Sequence, residues 1–243
     1  MESRGGLNLR DDAMIVKAAL IMPAAGVGVR FDAGRGTRKP YRLLGGKPIV
    51  LRTLARFKDI PSIVQRVLVL HPDDVDRVRE TWRDELAQLA VTEIVPGGAN
   101  RQESISHGLA VLRDEIEVVA VHDAVRPFVS RTAIEQSIAK AVEVGGAVVA
   151  CRITATVKRA DPLGRIIETV PREELWMAQT PQTFRKDILL RAYAAAAEEG
   201  VLGTDDSALV ERIGQEAAIV EEGPANLKIT TPDDLKIAEA MLR

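Results

Sequence analysis

Short apolar runs recur along the chain at Lys17–Met22 (ended by Pro23), Arg66–Leu70, Val91–Val95, Glu117–Val121 and Gly146–Ala150. Each is bounded like a buried strand. Between them lie stretches with helical spacing: Pro48–Phe57, Asp73–Leu89, Gln102–Arg113 and Thr132–Val144. The second of these puts Val75, Val78, Trp82, Leu86 and Leu89 on one stripe. Strands alternating with helices of this length predict an α/β, Rossmann-like fold, a mostly parallel sheet with helices on both faces.

The rhythm breaks after Ala150. Residues 151–172 alternate apolar with polar around the turn signal Asp161-Pro162-Leu163-Gly164, which predicts a protruding β-hairpin arm. Thr154, Thr156 and Lys158 are expected on one side of it. Helices are then expected at Lys186–Glu199, Asp205–Ile213 and Pro232–Leu242, with a strand at Ala217–Val220. No internal repeat or long Pro/Gly linker interrupts the chain. Residues 1–243 are therefore expected to form a single domain, with 1–16 as a flexible leader.

At 46% hydrophobic residues the chain can bury a substantial core, which excludes intrinsic disorder. The near balance of 33 basic and 35 acidic residues gives no general attraction to nucleic acid or anionic membrane. The uncharged stretch Ala18 to Val29 is far shorter than the roughly 20 residues a membrane-spanning helix needs. The charged leader lacks the apolar block of a secretory signal, so a cytoplasmic location is expected. A lone cysteine, Cys151, makes neither an intrachain disulfide nor a multi-cysteine zinc site.

Candidate chemistry begins after the first strand, at Pro23-Ala24-Ala25-Gly26-Val27-Gly28-Val29-Arg30. Small residues there let backbone amides approach an anion. The P-loop pattern fails, because Gly46-Lys47 is followed by Pro48 and Tyr41 stands where the first glycine belongs. The dinucleotide fingerprint fails at Phe31. What remains is an amide cradle followed by Arg30, Arg35, Arg38, Lys39 and Arg42, a set suited to a polyphosphate. Later, Pro96-Gly97-Gly98-Ala99-Asn100-Arg101 opens a helix whose first turn carries Ser104. His122-Asp123-Ala124-Val125-Arg126 ends an apolar run, where a carboxylate faces the ligand crevice of such sheets. Three histidines do not assemble a Ser/His/Asp triad, and His122 is expected to be buried and hydrogen-bonded.

These motifs resemble the nucleotidyltransferases that act on sugar and polyol phosphates, most closely the 2-C-methyl-D-erythritol 4-phosphate cytidylyltransferase family, from about Lys17 to Leu242. The resemblance implies CTP and 2-C-methyl-D-erythritol 4-phosphate as substrates, Mg²⁺ as the divalent cation and a homodimer joined through the 151–172 arm. It implies Arg30, Lys39 and Lys228 as the catalytic cations at the triphosphate. Pro23, Ala24, Ala25, Gly26, Gly28, Gly98, Arg101 and Ser104 would bind the nucleotide. Asp123 and Ala124 would lie beside both substrates, with Asp123 also a candidate for the metal. Arg126 and the residues Thr156, Arg172 and Thr180, expected on or beside the arm, would receive the acceptor. The chain departs from the family's usual acidic residue at Ala99 and at Ala155. Arg38 is a second candidate for the role given to Lys39. Ribitol-5-phosphate cytidylyltransferase and a non-catalytic nucleotide sensor are the alternative readings.

Overall fold

The computed structural model describes residues 16–26 and 38–242. In chain order the elements are β1 (Ala18–Ala24), β2 (Leu43–Leu44), β3 (Lys47–Pro48), α1 (Ile49–Ala55), β4 (Ile63–Leu70), α2 (Val75–Thr81), α3 (Arg83–Gln88), β5 (Glu93–Pro96), α4 (Arg101–Leu109), β6 (Val118–Val121), α5 (Arg131–Val144), β7 (Gly146–Arg152), β8 (Val157–Ala160), β9 (Ile166–Val170), β10 (Trp176–Arg185), α6 (Lys186–Glu198), α7 (Asp206–Arg212), β11 (Ala218–Glu221) and α8 (Pro232–Ala240).

Seven strands form one sheet in the order β11-β7-β10-β6-β1-β4-β5. All neighbours run parallel except β10, which is antiparallel to both β6 and β7. The expected mostly parallel sheet is therefore found. Alternation along β1 sorts the core: Leu20 and Met22 join one apolar cluster with residues of α1, α2, α3 and α5. Ala19 and Ile21 join the other, with residues of α4, α6 and α7. The chain steps outward from β1 to β4 and β5, then returns to β6 on the other side of β1. Strand order reverses there, and such a reversal opens a crevice at the carboxyl ends of the strands.

Three expectations change. The stripe from Asp73 to Leu89 is kept, but it is carried by a 3₁₀ turn and two helices rather than one. Trp82 leaves helical geometry at φ −118°, ψ 26° and meets the Tyr41 ring edge-on at 5.6 Å. The hairpin is shorter than expected: β8 begins at Val157, so Thr154 and Thr156 lie in the segment leading to it. Its turn is the expected one, with Asp161 Oδ1 accepting the amides of Leu163 and Arg165 and Gly164 at φ +78°.

The third change is β10. Thr180, expected on the arm as a turn hydroxyl, lies in a central strand of the main sheet. Gln179, Thr180, Gln182 and Thr183 are all buried. Their partners are polar: Ser137 Oγ meets Thr183 Oγ1 at 2.9 Å, and Gln182 Nε2 donates to Asp205 Oδ2 at 2.8 Å. A strand buried through hydrogen bonds gives no apolar run to read.

Gly145 ends α5 in the left-handed region at φ +98°, donating its amide to Ala141 O at 2.9 Å. A Cβ there would lie 2.8 Å from Ile188 Cδ1. Gly145→Ala is expected to lower unfolding free energy by about 1–2 kcal/mol. In urea denaturation this lowers the midpoint without changing the slope.

Candidate active site

Four loops leave the carboxyl ends of β1, β4, β5 and β6 and, with segments near Lys39 and Lys228, line a cavity of about 520 Å³. β1 supplies Pro23, Ala24, Ala25 and Gly26; the β5 loop and α4 supply Gly98, Arg101 and Ser104; β6 leads to Asp123 and Ala124. Gly28 and Arg30 lie outside the described residues. A larger hollow of about 630 Å³ between Val118, Val142 and Leu190 opens at the other end of β6. Convergent charge favours the smaller cavity as the site.

Close packing shapes the wall between the β1 and β5 loops. A Cβ at Gly97 would fall 2.4 Å from Ala25 Cβ, so only glycine lets the β5 loop approach the β1 loop this closely. Gly98 N donates to Ser104 Oγ at 3.1 Å, and that hydroxyl donates to Asn100 O at 2.8 Å. Asn100 caps α4 by accepting from Glu103 N, while Glu103 Oε2 takes the amide of Ala99 at 2.7 Å. A carboxylate thus serves the turn at Ala99.

Charge converges on Asp123. Lys228 Nζ lies 2.7 Å from Oδ2, Arg101 Nε 3.3 Å from Oδ1 and Arg126 Nε 3.7 Å from Oδ2. Burial alone would raise this carboxyl, but Arg101, Lys228 and Arg126 hold it well below the usual carboxylate range. Arg101 also donates to buried Asp206 at 2.8 Å, so it is not a solvated surface cation. Arg126 lies behind Asp123, with Nη1 donating to Asn226 O at 2.7 Å.

His122 fixes the turn beneath this carboxylate. The Arg126 carbonyl only accepts, so His122 Nε2, 3.1 Å away, carries the ring proton. Nδ1 then accepts from the Thr180 hydroxyl at 3.0 Å, and Thr180 Oγ1 accepts the Asp123 amide at 3.1 Å. Burial pushes the imidazole pKa down to about 4. From the other side, Thr53 Oγ1 donates to Ala124 O at 2.8 Å, tying α1 to the same loop.

Lys39 lines the cavity, and Arg38 lies beside it, with Nη1 donating to Asp74 Oδ2 at 2.7 Å and Nη2 facing His71 Nδ1 at 3.1 Å. Thr156 and Arg172 are exposed on the arm and do not line the cavity; Arg172 Nη1 donates to Thr154 O. Sequence reasoning missed His71 and Thr230 in the lining. His71 was findable, since it follows the apolar run of β4, a neighbour of β1 whose carboxyl end meets the same crevice.

The chain matches the family model IspD: 2-C-methyl-D-erythritol 4-phosphate cytidylyltransferase over residues 18–243. The 2-C-methyl-D-erythritol 4-phosphate cytidylyltransferase of Solibacter usitatus is 41% identical over 236 residues, spanning 94% of this chain and 96% of its own length. That of Bacillus velezensis is 41% identical over 228 residues, spanning 92% and 95%. The solved 4-diphosphocytidyl-2C-methyl-D-erythritol synthase of Anaerococcus prevotii superimposes with a TM-score of 0.80 at 28% identity, covering 93% of this chain and 98% of its own.

His122 supplies a pH test. An unfolded histidine takes up a proton near 6.5, whereas the buried ring resists protonation to about 4. The unfolded state therefore gains protons first as pH falls. Stability fully present above about pH 6.5 is lost on the way to about pH 4. His122→Gln is expected to flatten this part of the urea-unfolding profile. Parallel profiles for parent and variant would contradict the assignment.

Proposed function

Because this chain belongs to the 2-C-methyl-D-erythritol 4-phosphate cytidylyltransferase family, we propose that its cavity is the active site and seats CTP across the ends of β1, β5 and β6. The reaction transfers a cytidylyl group from CTP to 2-C-methyl-D-erythritol 4-phosphate, a step of isoprenoid biosynthesis, and the enzyme is a nucleotidyltransferase. The observation that carries the site assignment is the convergence of Arg101, Arg126 and Lys228 on the Asp123 carboxylate at the strand-order reversal.

In this reading an oxygen of the acceptor's phosphate bonds to the α-phosphorus of CTP. The bond from that phosphorus to the β-phosphate oxygen breaks, and pyrophosphate leaves with its electron pair. A phosphate monoester is already anionic near neutral pH, so the attack needs no strong general base. The barrier is the approach of two anions, and positioning with cations lowers it. Lys39 and Lys228 supply charge from the cavity, and Arg30 joins them in the proposal from outside the described residues. Lys228 exchanges Asp123 for a phosphate when the nucleotide enters.

Backbone groups of Pro23 to Gly26 and Gly98 face the nucleotide, and Ser104 holds the Gly98 loop in shape. We assign Gly28 to nucleotide binding as well. The family reaction uses a divalent cation, which we take to be Mg²⁺. Asp123, the carboxylate among the described lining residues, would meet it only with Lys228 displaced from Oδ2, the nucleotide phosphates supplying the other oxygens. When bound, the ion offsets phosphate charge.

Asp123 and Ala124 form the acceptor side, with Arg126 and Thr180, which do not line the cavity, supporting them from behind. Because Thr156 and Arg172 stay away from the cavity of their own chain, the proposal has the arm of a second copy deliver them in a homodimer. A two-stranded arm gains stability from such pairing. Both substrates are too highly charged to cross a bilayer unaided, and we place the reaction in the cytoplasm.

Pyrophosphate release from CTP is expected with methylerythritol phosphate and not with ribitol phosphate. Lys39→Ala is expected to lower turnover by about 100-fold or more with the fold intact, a loss of at least roughly 2.7 kcal/mol of transition-state stabilisation. Turnover within about threefold of the parent would remove Lys39 from the mechanism. Arg38→Ala is expected to cost less, because Arg38 is held by Asp74. Mixing inactive Lys39→Ala with inactive Arg172→Ala protein is expected to restore activity, because a mixed dimer has one site with both residues. Failure to complement, with light scattering showing a monomer, would remove the arm from the acceptor pocket.

A further inference from the structure

The turn before α7 does more than cap a helix. Asp205 is the cap, its Oδ1 accepting Ala208 N at 2.9 Å. Asp206 instead points inward and is fully buried. Both of its oxygens are engaged: Tyr193 Oη donates to Oδ1 at 2.5 Å, and Arg101 Nη2 donates to Oδ2 at 2.8 Å. A guanidinium is rigid and planar, so anchoring Nη2 restricts where Nε can lie. That Nε is the one facing Asp123 Oδ1 at 3.3 Å.

The segment carrying Asp206 is strapped down at both ends. Gln102 donates to Val201 O and accepts Gly203 N, each at 3.0 Å. Gln182 donates to Asp205 Oδ2 at 2.8 Å and accepts Ser207 N at 2.9 Å. Asp206 is thus a fixed anchor reaching the site from α7, with Tyr193 on α6 setting its orientation. A buried ion pair kept only for stability is a weak device, because its desolvation cost offsets most of its attraction.

We infer that Asp206 and Tyr193 are positioning residues which, by holding the Arg101 guanidinium, fix the Asp123 carboxylate for cytidylyl transfer. The inference rests on the reading of the cavity as the active site.

The test is a double-mutant cycle on the full chain, following both pyrophosphate release and thermal unfolding. Asp206→Asn and Arg101→Gln are each expected to lower kcat/KM by about tenfold or more, the equivalent of 1.4 kcal/mol or above. The pair together is expected to be no worse than Arg101→Gln by more than about twofold, since Asp206 acts only through Arg101. Arg101→Gln leaves the Asp206 carboxylate buried without its cation, so its Tm falls; adding Asp206→Asn recovers Tm and leaves kcat/KM low.

Tyr193→Phe removes a single hydroxyl and keeps the ring in the core. It is expected to lower kcat/KM by about threefold in the parent and not at all in the Arg101→Gln background. Equal losses in both backgrounds, or kcat/KM returning together with Tm, would overturn the positioning role while leaving the active site in place. A parent inactive with both substrates would overturn the reading of the cavity, and this inference with it.

Discussion

A single carboxylate, Asp123, sits among three cations drawn from α4, the loop after β6 and the segment before α8. Asp123 is buried, and a buried charge persists only when paired, so the carboxylate depends on the cations around it. The group carries more positive than negative charge, although the whole chain has a net charge of −2. Three cations against the Asp123 and Asp206 carboxylates leave this cluster with net positive charge. This suits a reaction whose difficulty is to bring two phosphorylated molecules together.

The rest of the architecture serves that carboxylate. The sheet presents Asp123 at the end of β6, next to β1, where strand order reverses. Beneath it, neutral His122 and Thr180 hold its backbone; beside it, Thr53 holds the following residue. These contacts use hydroxyls, a ring and main-chain groups, none of which adds charge. Neutral groups thus hold the backbone on either side of Asp123, while its carboxylate faces Arg101, Arg126 and Lys228.

Much of this was legible from the residues. Apolar runs gave the parallel strands because those strands are buried by hydrophobic side chains. The rule that ligands meet the carboxyl ends of strands pointed to Asp123, Gly98 and Ala25. β10 was not legible, since Gln179, Thr180, Gln182 and Thr183 are buried by hydrogen bonding that periodicity does not register. Asp206 escaped for a related reason. It stands in the first turn of a helix, where an acidic residue is ordinarily explained by the helix itself, and only the fold brings Arg101 to it across more than a hundred positions. The break at Trp82 was equally hidden, because the apolar stripe continues through it.

The hairpin joins the sheet in a telling way. Its chain leaves at Arg152 and returns at Trp176, two residues that face each other directly across the β7–β10 ladder, with the guanidinium 4.2 Å from the indole centroid. Everything between them is an excursion from a closed seam. Residues can be added or removed along that excursion without shifting a single rung below it. The arm can therefore change in length while the sheet beneath it keeps its register.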